Sequence, residues 1–196
     1  MSGCLRIAFY VRETEVLGPH KRFALWVQGC EKNCAGCIAQ SMKDPGGGET
    51  VEIPRLTDII LSVEGIEGIT VSGGEPFLQA RELCELIRAV RAERDFGVIV
   101  YTGYALSELS GVLLNEIDTL IDGEYRETLD DDKGYRGSSN QNIIHLTDRY
   151  KDCYDYGLGR KTEFFISGDK RMMVGIPSES AKKLWEKLQA DDFEQQ

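Results

Sequence analysis

The chain of 196 residues has no long apolar run. Its longest apolar stretches, such as residues 23–27, are much shorter than the roughly 18 residues that a membrane span needs. The N-terminus also lacks the basic start, apolar segment and small-residue cleavage site of a secretory signal. We therefore expect a cytoplasmic protein with no membrane partner.

Positive charge and histidine are scarce. The 23 basic residues are outnumbered by 33 acidic ones, which gives a net charge of -10. Such a balance argues against binding to the phosphate backbone of a nucleic acid polymer or to an anionic membrane. The only histidines are His20 and His145, and neither has zinc-finger spacing. With 41% hydrophobic and 29% charged residues, the composition is that of an ordinary globular domain.

The six cysteines are unevenly spread: Cys30, Cys34 and Cys37 lie within eight residues, whereas Cys4, Cys84 and Cys153 are isolated. In a chain without a secretory signal, clustered cysteines more often bind metal or carry redox chemistry than form disulfides. We therefore expect a reducing compartment.

The apolar pattern predicts an α/β fold. From Pro54 onward, stripes with helical spacing alternate with short β-type runs, and this rhythm predicts a parallel sheet with right-handed crossovers. The predicted strands cover residues 5–11, 23–28, 69–71, 98–101 and 119–121, and the predicted helices carry apolar stripes within 56–63, 83–90 and 106–113.

The pattern weakens after Asp122. The charge run at residues 130–134 predicts a solvated loop. Residues 163–166 and 172–174, joined through 167–169, predict a hairpin, and Ser178 is a candidate N-cap for a closing helix. No linker divides the chain. We expect one domain over residues 1–196, with a cluster loop at 29–48 and a C-terminal hairpin plus helix at 163–190.

The spacing Cys30-x3-Cys34-x2-Cys37 is the strongest signal in the chain. Three thiolates on one loop can turn toward a single inorganic centre, and the flanking Gly29 and Gly36 let the backbone approach it. A 4Fe–4S cluster normally takes four thiolates, so the fourth would have to be one of the isolated cysteines. Of these, Cys84 fits a buried helical position. If none joins, one iron is open to another ligand. The alternatives are a zinc site or three unrelated thiols.

The stretch Phe23-Ala24-Leu25-Trp26-Val27-Gln28-Gly29-Cys30, with Cys34 and Cys37, resembles the radical S-adenosylmethionine superfamily. It is similar in particular to the small activating enzymes of glycyl-radical enzymes, of the anaerobic ribonucleotide reductase activase type. The resemblance implies a partial parallel (β/α) barrel and a 4Fe–4S cluster on Cys30, Cys34 and Cys37. It also implies S-adenosylmethionine bound to the fourth iron, and an electron donor such as flavodoxin or ferredoxin.

A second motif, Ser72-Gly73-Gly74-Glu75-Pro76, follows the strand at 69–71. By itself it is either a tight strand-to-helix loop or a place where backbone contacts a ligand, since ligands bind beyond the carboxyl ends of parallel strands. It resembles the superfamily's Gly-Gly-Glu, which implies that Gly73, Gly74 and Glu75 bind the methionine amino group. Thr102, after the next strand, is either a ribose contact or a turn residue.

The resemblance leaves three functions open. The first is an activase that takes a hydrogen atom from a glycine of a partner protein, and the second is a radical enzyme that modifies a peptide or small molecule directly. The third is a non-catalytic iron–sulfur or zinc protein. The residues after Cys37 and the triglycine at 46–48 depart from the reductase activases, so the substrate stays open. For the segment 136–141, the sequence suggests only that Arg136 could clamp a carboxylate.

Overall fold

The centre of the fold is a seven-stranded sheet in the order β3-β1-β2-β4-β5-β6-β7. The computed structural model describes residues 3–154, 159–167 and 170–190. The strands of this sheet are β1 (Cys4–Thr14), β2 (Arg22–Val27), β3 (Glu49–Glu52), β4 (Gly68–Gly73), β5 (Gly97–Tyr101), β6 (Thr119–Asp122) and β7 (Asn142–His145). The pattern of apolar runs did not reveal β3 and β7.

The four central strands β2, β4, β5 and β6 are parallel. They read as continuous apolar runs because both faces of a parallel sheet are covered, and every residue of β2 is buried. The outer strands β1, β3 and β7 are antiparallel to their neighbours. The α/β class with a mostly parallel centre is therefore confirmed. The sheet ends at β3 and β7, so closure into a barrel is not confirmed.

Helices α1 (Ile53–Leu61) and α2 (Ala80–Glu93) pack on one face of the sheet. The predicted stripe on α2 is confirmed, since all four of its apolar side chains are buried: Leu83, Leu86, Ile87 and Val90. On α1, Leu56 and Ile60 are buried against the same core. Pro54 stands in the first turn of α1, where its missing N–H costs no hydrogen bond.

The prediction of a third helix over 106–113 is wrong. The segment forms two short 3₁₀ turns, Leu106–Glu108 and Val112–Glu116. Gly111 separates them with a φ of 103°, a left-handed conformation that no α-helix continues through. Only Leu113 of the predicted stripe is fully buried, so tertiary packing does not restore the helix.

The C-terminal part forms a hairpin of β8 (Thr162–Ser167) and β9 (Lys170–Gly175), followed by α3 (Glu179–Ala190). The hairpin prediction is confirmed by the pairing of Phe164 with Met173, although residues 168 and 169 of its turn lie outside the described residues. Ser178 is confirmed as a cap, because its hydroxyl accepts from the Ala181 N–H. Val174 is buried on the sheet face opposite α1 and α2, beside Trp26.

A buried arginine locks the amino ends of the parallel strands. The Arg22 side chain is fully buried and donates to Thr70, to the Tyr150 hydroxyl and to the carbonyls of Ile69 and Gly97. Glu67 accepts from the same guanidinium at 2.9 Å. This network lies at the edge opposite the strand carboxyl ends, so it serves the fold. Of the helices in the described part of the chain, none has the length and apolarity to cross a membrane.

Candidate functional site

The carboxyl ends of the four parallel strands open onto one cavity of about 180 Å³. The cysteine loop follows β2, the Gly-Gly-Glu segment follows β4, and Thr102 with Gly103 follows β5. All of them contribute to the cavity wall. This is the edge at which ligands bind in open α/β sheets, so the two motifs that the sequence singled out meet where the fold predicts a site.

The cysteine loop closes on itself at its base. The Gly29 N–H donates to the Met42 carbonyl at 2.8 Å and the Cys30 N–H to the Lys43 carbonyl at 3.1 Å. The Gln28 amide donates to the carbonyls of Ser41 and Asp44, which holds the far end of the loop against β2. The backbone thus fixes both ends of the segment that carries the three cysteines.

Cys30, Cys34 and Cys37 are half-buried and line the cavity. The other three cysteines do not contribute to its wall. Cys84 is buried on α2, as its helical spacing predicts, and Cys4 and Cys153 are exposed. The described structure therefore brings together three thiols at the site and no fourth.

Burial raises the pKa of the Cys30 and Cys34 thiols, and the neighbouring Glu75 and Glu124 raise them further. The charge of Cys37 also raises the pKa of both, because a thiolate is less stable beside a second negative charge. A cationic metal centre would remove this penalty, because metal binding displaces the thiol protons.

The donor set fits an iron–sulfur cluster better than a single metal ion. Within the described residues, no three His, Cys, Asp or Glu side chains converge on one ion, which disfavours a zinc site. In a 4Fe–4S cluster each thiolate binds a different iron, so the sulfurs surround the cluster instead of meeting at one point. Three thiols without histidine match that requirement, and a cluster held by them alone would have one iron without a protein ligand.

The Gly-Gly-Glu segment is joined to the cysteine loop by its backbone. The Gly74 N–H donates to the Val27 carbonyl at 2.8 Å, and the Glu75 N–H donates to the Gly29 carbonyl at 2.7 Å. A Cβ at Gly74 would lie 2.1 Å from the Gly29 oxygen, a distance that van der Waals contact forbids. Gly73 has a φ of 106°, which also favours glycine. These glycines set the spacing between the two loops.

The Glu75 carboxylate, which is 1% exposed, ties two strand ends together. It accepts from the Phe77 N–H at 3.0 Å, the Thr102 hydroxyl at 2.8 Å and the Gly103 N–H at 2.9 Å. Burial raises its pKa, and these three donors partly offset that rise. A carboxylate has about four acceptor positions, so one remains for a further donor. The sequence did not reveal this network, because its donors come from two different loops.

Gly36 was expected to lie at the site and Arg136 to bind a carboxylate of a ligand, and the structure gives both residues other surroundings. Gly36 has a φ of 71° and does not contribute to the cavity wall; a Cβ there would lie 2.7 Å from the Glu127 carboxyl carbon. Arg136 pairs with Asp131 at 3.0 Å, so the carboxylate that it clamps belongs to this chain. Gln141 does line the cavity, and its side-chain oxygen accepts from the Gly137 N–H.

The C-terminal part contributes a wall that the motifs did not reveal. Arg160, Ile176, Pro177 and Lys182 line the cavity although they follow the last motif residue by many positions. On the cysteine side, the Lys32 ammonium lies 3.9 Å from the centre of the Tyr104 ring. Only the tertiary structure places these side chains at the site.

Fold and site together define an α/β protein with a three-cysteine loop at the carboxyl edge of its sheet. The family model described as "4Fe-4S single cluster domain" matches residues 16–144. The chain belongs to this family and, within it, to the type of the small proteins that activate glycyl-radical enzymes, as its relatives show.

The anaerobic ribonucleoside-triphosphate reductase-activating protein of enterobacteria phage T4 is 32% identical over 141 residues, which cover 68% of this chain and 89% of that protein. Its counterpart from Escherichia coli strain K12 is 33% identical over 144 residues, covering 67% and 92%. The isethionate sulfite-lyase activating enzyme of Nitratidesulfovibrio vulgaris is 30% identical over 126 residues, covering 59% of this chain and 39% of that enzyme.

Proposed function

We propose that this chain is a radical S-adenosylmethionine enzyme that activates a partner protein by forming a glycyl radical. When bound, the cluster and S-adenosylmethionine would supply one-electron cleavage of the sulfonium to methionine and a 5′-deoxyadenosyl radical, which takes a hydrogen atom from the glycine Cα. The observation that carries the proposal is the backbone junction of the two motif loops at one cavity, through Gly29 and Glu75.

In this proposal, Cys30, Cys34 and Cys37 would hold the cluster, and its remaining iron would be free to bind the amino and carboxylate groups of S-adenosylmethionine. The remaining acceptor position of Glu75 suits an N–H of this amino group, since a hydrogen bond to an ionised carboxylate is charge-assisted. Gly73 and Gly74 allow the cofactor to approach the backbone.

Thr102 acts chiefly by orienting Glu75, because its hydroxyl donates to that carboxylate. Its own N–H is used within the sheet, where it donates to the Ile121 carbonyl. The hydroxyl oxygen has two acceptor positions, and one of them accepts from the Tyr104 N–H. A ribose contact would have to use the other. The wall from the C-terminal part would shield the radical from water.

The relatives support a protein substrate, since their names describe activation of a reductase or a lyase. The three cysteines are only half-buried, so a reduced flavodoxin or ferredoxin could deliver an electron to the cluster at short range. We propose a redox protein of this kind as the electron donor.

The direct test uses anaerobically reconstituted protein, reduced with dithionite and mixed with S-adenosylmethionine. We expect 5′-deoxyadenosine and methionine to form in equal amounts. With the glycyl-radical enzyme encoded nearest to it in the genome, we expect a glycyl-type doublet in the electron paramagnetic resonance spectrum. A Cys153→Ala variant is the matched control, since that thiol is exposed and does not line the cavity.

Absence of 5′-deoxyadenosine from cluster-loaded, reduced protein would contradict the proposal. Transfer of deuterium or tritium from a labelled small metabolite to 5′-deoxyadenosine, with no protein radical, would instead support the enzyme that modifies a small molecule directly.

A further inference from the structure

Among the α-helices in the described part of the chain, α3 is the least buried. From Glu179 to Gln189 no side chain is fully buried, and none belongs to a buried apolar cluster. By contrast, α1 and α2 each bury four or more side chains. Trp185 packs on Phe164 of the hairpin, with 6.2 Å between the ring centres. Elements with few buried contacts open at low free energy, so α3 can leave its place while the rest of the fold persists.

The first turns of α3 nevertheless reach the functional cavity. Lys182 lines it, together with Ile176 and Pro177 of the segment that connects β9 to α3. The same cavity is lined by the three clustered cysteines and by Glu75. A loosely packed helix therefore forms part of the wall around the site at which the proposed chemistry would occur.

One ion pair ties α3 to the opposite part of this wall. The Lys182 ammonium donates to the Asp130 carboxylate at 3.3 Å. In the part of the chain that the structure describes, no other ion pair or side-chain hydrogen bond joins α3 to residues before β8. The second oxygen of Asp130 pairs with Arg160 at 2.8 Å, which holds the carboxylate in place. The charge run at 130–134 thus fastens the C-terminal part to the cavity.

The hairpin before α3 is anchored, which confines the movement to the helix. Val174 is fully buried, and the Glu163 carboxylate accepts from the Thr14 hydroxyl at 2.6 Å. The connection from β9 to α3 begins at Gly175, whose φ of 112° favours glycine. The helix can therefore swing away from a fixed hairpin about the connection 175–178.

The size of the cavity requires such a movement. Sites for ligands of the size of S-adenosylmethionine usually enclose about 300–1,000 Å³, whereas this cavity has about 180 Å³. It is too small for a cluster and this cofactor together while α3 stays in place. A wall element must move when they bind, and α3 is the wall element without a fully buried side chain.

We propose that α3 is a lid, latched by the ion pair between Lys182 and Asp130, that opens before S-adenosylmethionine binds. This rests on the proposed function, which names the ligand of the cavity. The glycine-bearing segment of the partner protein would enter through the same opening. The helix lies beyond residue 144, where the match to the family model ends, so the lid belongs to a part of the chain that this model does not describe.

The latch has a measurable consequence for affinity. When only the open state binds a ligand, the apparent affinity is reduced by the fraction of molecules that are open. Lys182→Met should therefore raise the affinity for S-adenosylmethionine by about two- to fivefold, the value of a half-exposed ion pair. A lysine that contacts the cofactor directly would lower the affinity when it is removed, and a merely structural one would leave it unchanged.

The test uses cluster-loaded, full-length protein without a reductant, so that it does not depend on turnover. Hydrogen–deuterium exchange with mass spectrometry reports the opening of α3, and isothermal titration calorimetry gives the affinity for S-adenosylmethionine. Without the cofactor, we expect Lys182→Met to speed exchange in α3 about two- to fivefold. In the wild type, S-adenosylmethionine should also speed exchange in α3, because it binds the open state.

Two further variants separate the latch from a change of charge. Lys183→Met is the matched control, because this neighbouring lysine is exposed and pairs only with Glu179 of its own helix. It should leave both measurements at their wild-type values. Trp185→Ala removes the packing of α3 on the hairpin without altering the charge of the cavity, and Trp185 does not line the cavity. It should speed exchange in α3 and raise the affinity, as Lys182→Met does.

The proposal is overturned if Lys182→Met leaves exchange in α3 unchanged, or if S-adenosylmethionine slows that exchange. A lower affinity in Lys182→Met would make the lysine a cofactor contact instead of a latch. A higher affinity in Lys182→Met but not in Trp185→Ala would assign the effect to the lost charge. If the wild type does not bind S-adenosylmethionine, the proposed function fails, and exchange in the variants still decides whether the ion pair latches α3.

Discussion

Replacing Glu75 separates the two roles that the site assigns to this carboxylate. In the structure it accepts three hydrogen bonds, from Phe77, Thr102 and Gly103, and so connects the ends of β4 and β5. In the proposed function its remaining acceptor position binds the amino group of S-adenosylmethionine. Glu75→Ala removes both roles, whereas Glu75→Gln removes mainly the second.

The expected loss of stability follows from the three contacts. Each hydrogen bond to a charged group contributes about 1.5–3 kcal/mol, but neighbouring contacts do not add and water can enter the space left behind. We expect Glu75→Ala to lower the free energy of unfolding by about 2–4 kcal/mol. For a chain of this size that corresponds to about 4–16 °C in the melting temperature.

Glu75→Gln should lose less stability. The Phe77 N–H and the Thr102 hydroxyl both donate to Oε1, which the amide oxygen can replace, and only the Gly103 N–H faces Oε2. One lost contact suggests a decrease of about 1–2 kcal/mol. The affinity for S-adenosylmethionine should nevertheless fall by about 10- to 150-fold in both variants, because the charge is gone in each.

The assay combines anaerobic thermal melts of the cluster-loaded protein with equilibrium binding of S-adenosylmethionine. Glu93→Ala, at an exposed position at the end of α2, is the control for removing a glutamate. Equal melting temperatures for wild type and Glu75→Ala would refute the assigned hydrogen-bond network. Wild-type affinity in Glu75→Gln would refute the cofactor role and leave a purely structural glutamate.

Three further predictions concern the cluster, the loop junction and the core. A single Cys→Ala change at Cys30, Cys34 or Cys37 should abolish the absorbance and the electron paramagnetic resonance signal of the 4Fe–4S cluster. The same change at Cys4, Cys84 or Cys153 should preserve both. Loss of the cluster in a folded Cys84→Ala variant would contradict the prediction that one iron has no protein ligand. Gly74→Ala should cost about 3 kcal/mol or more in thermal melts, since its Cβ would meet the Gly29 oxygen at 2.1 Å, whereas Gly159→Ala, with open space around it, should be neutral. Arg22→Met should destabilise by about 3–5 kcal/mol in denaturant unfolding, because the buried Thr70 hydroxyl and the carbonyls of Ile69 and Gly97 would lose their donor, and Lys21→Met at the exposed neighbouring position should change little.

Much of the site followed from local patterns. The spacing of Cys30, Cys34 and Cys37 and the glycines before Glu75 both come directly after apolar strand runs. Because parallel strands present their carboxyl ends at one edge, two such loops were expected to lie together, and the backbone bond from Glu75 to Gly29 shows that they do. The prediction failed at residues 106–113. The periodicity there suggests a helix, but the positive φ of Gly111 prevents a continuous one.

The sequence by itself determined that three cysteines are clustered, which face of α2 is buried and that Cys84 belongs to the core, since these depend on residue type and short-range period. Only the tertiary structure decided which polar groups meet. The bonds of Glu75 to the loop after β5 join segments 27 and 28 positions apart, and Arg160 reaches the cavity wall from the C-terminal part of the chain. Such contacts depend on how strands and loops pack in space, and no local pattern of residues encodes that packing.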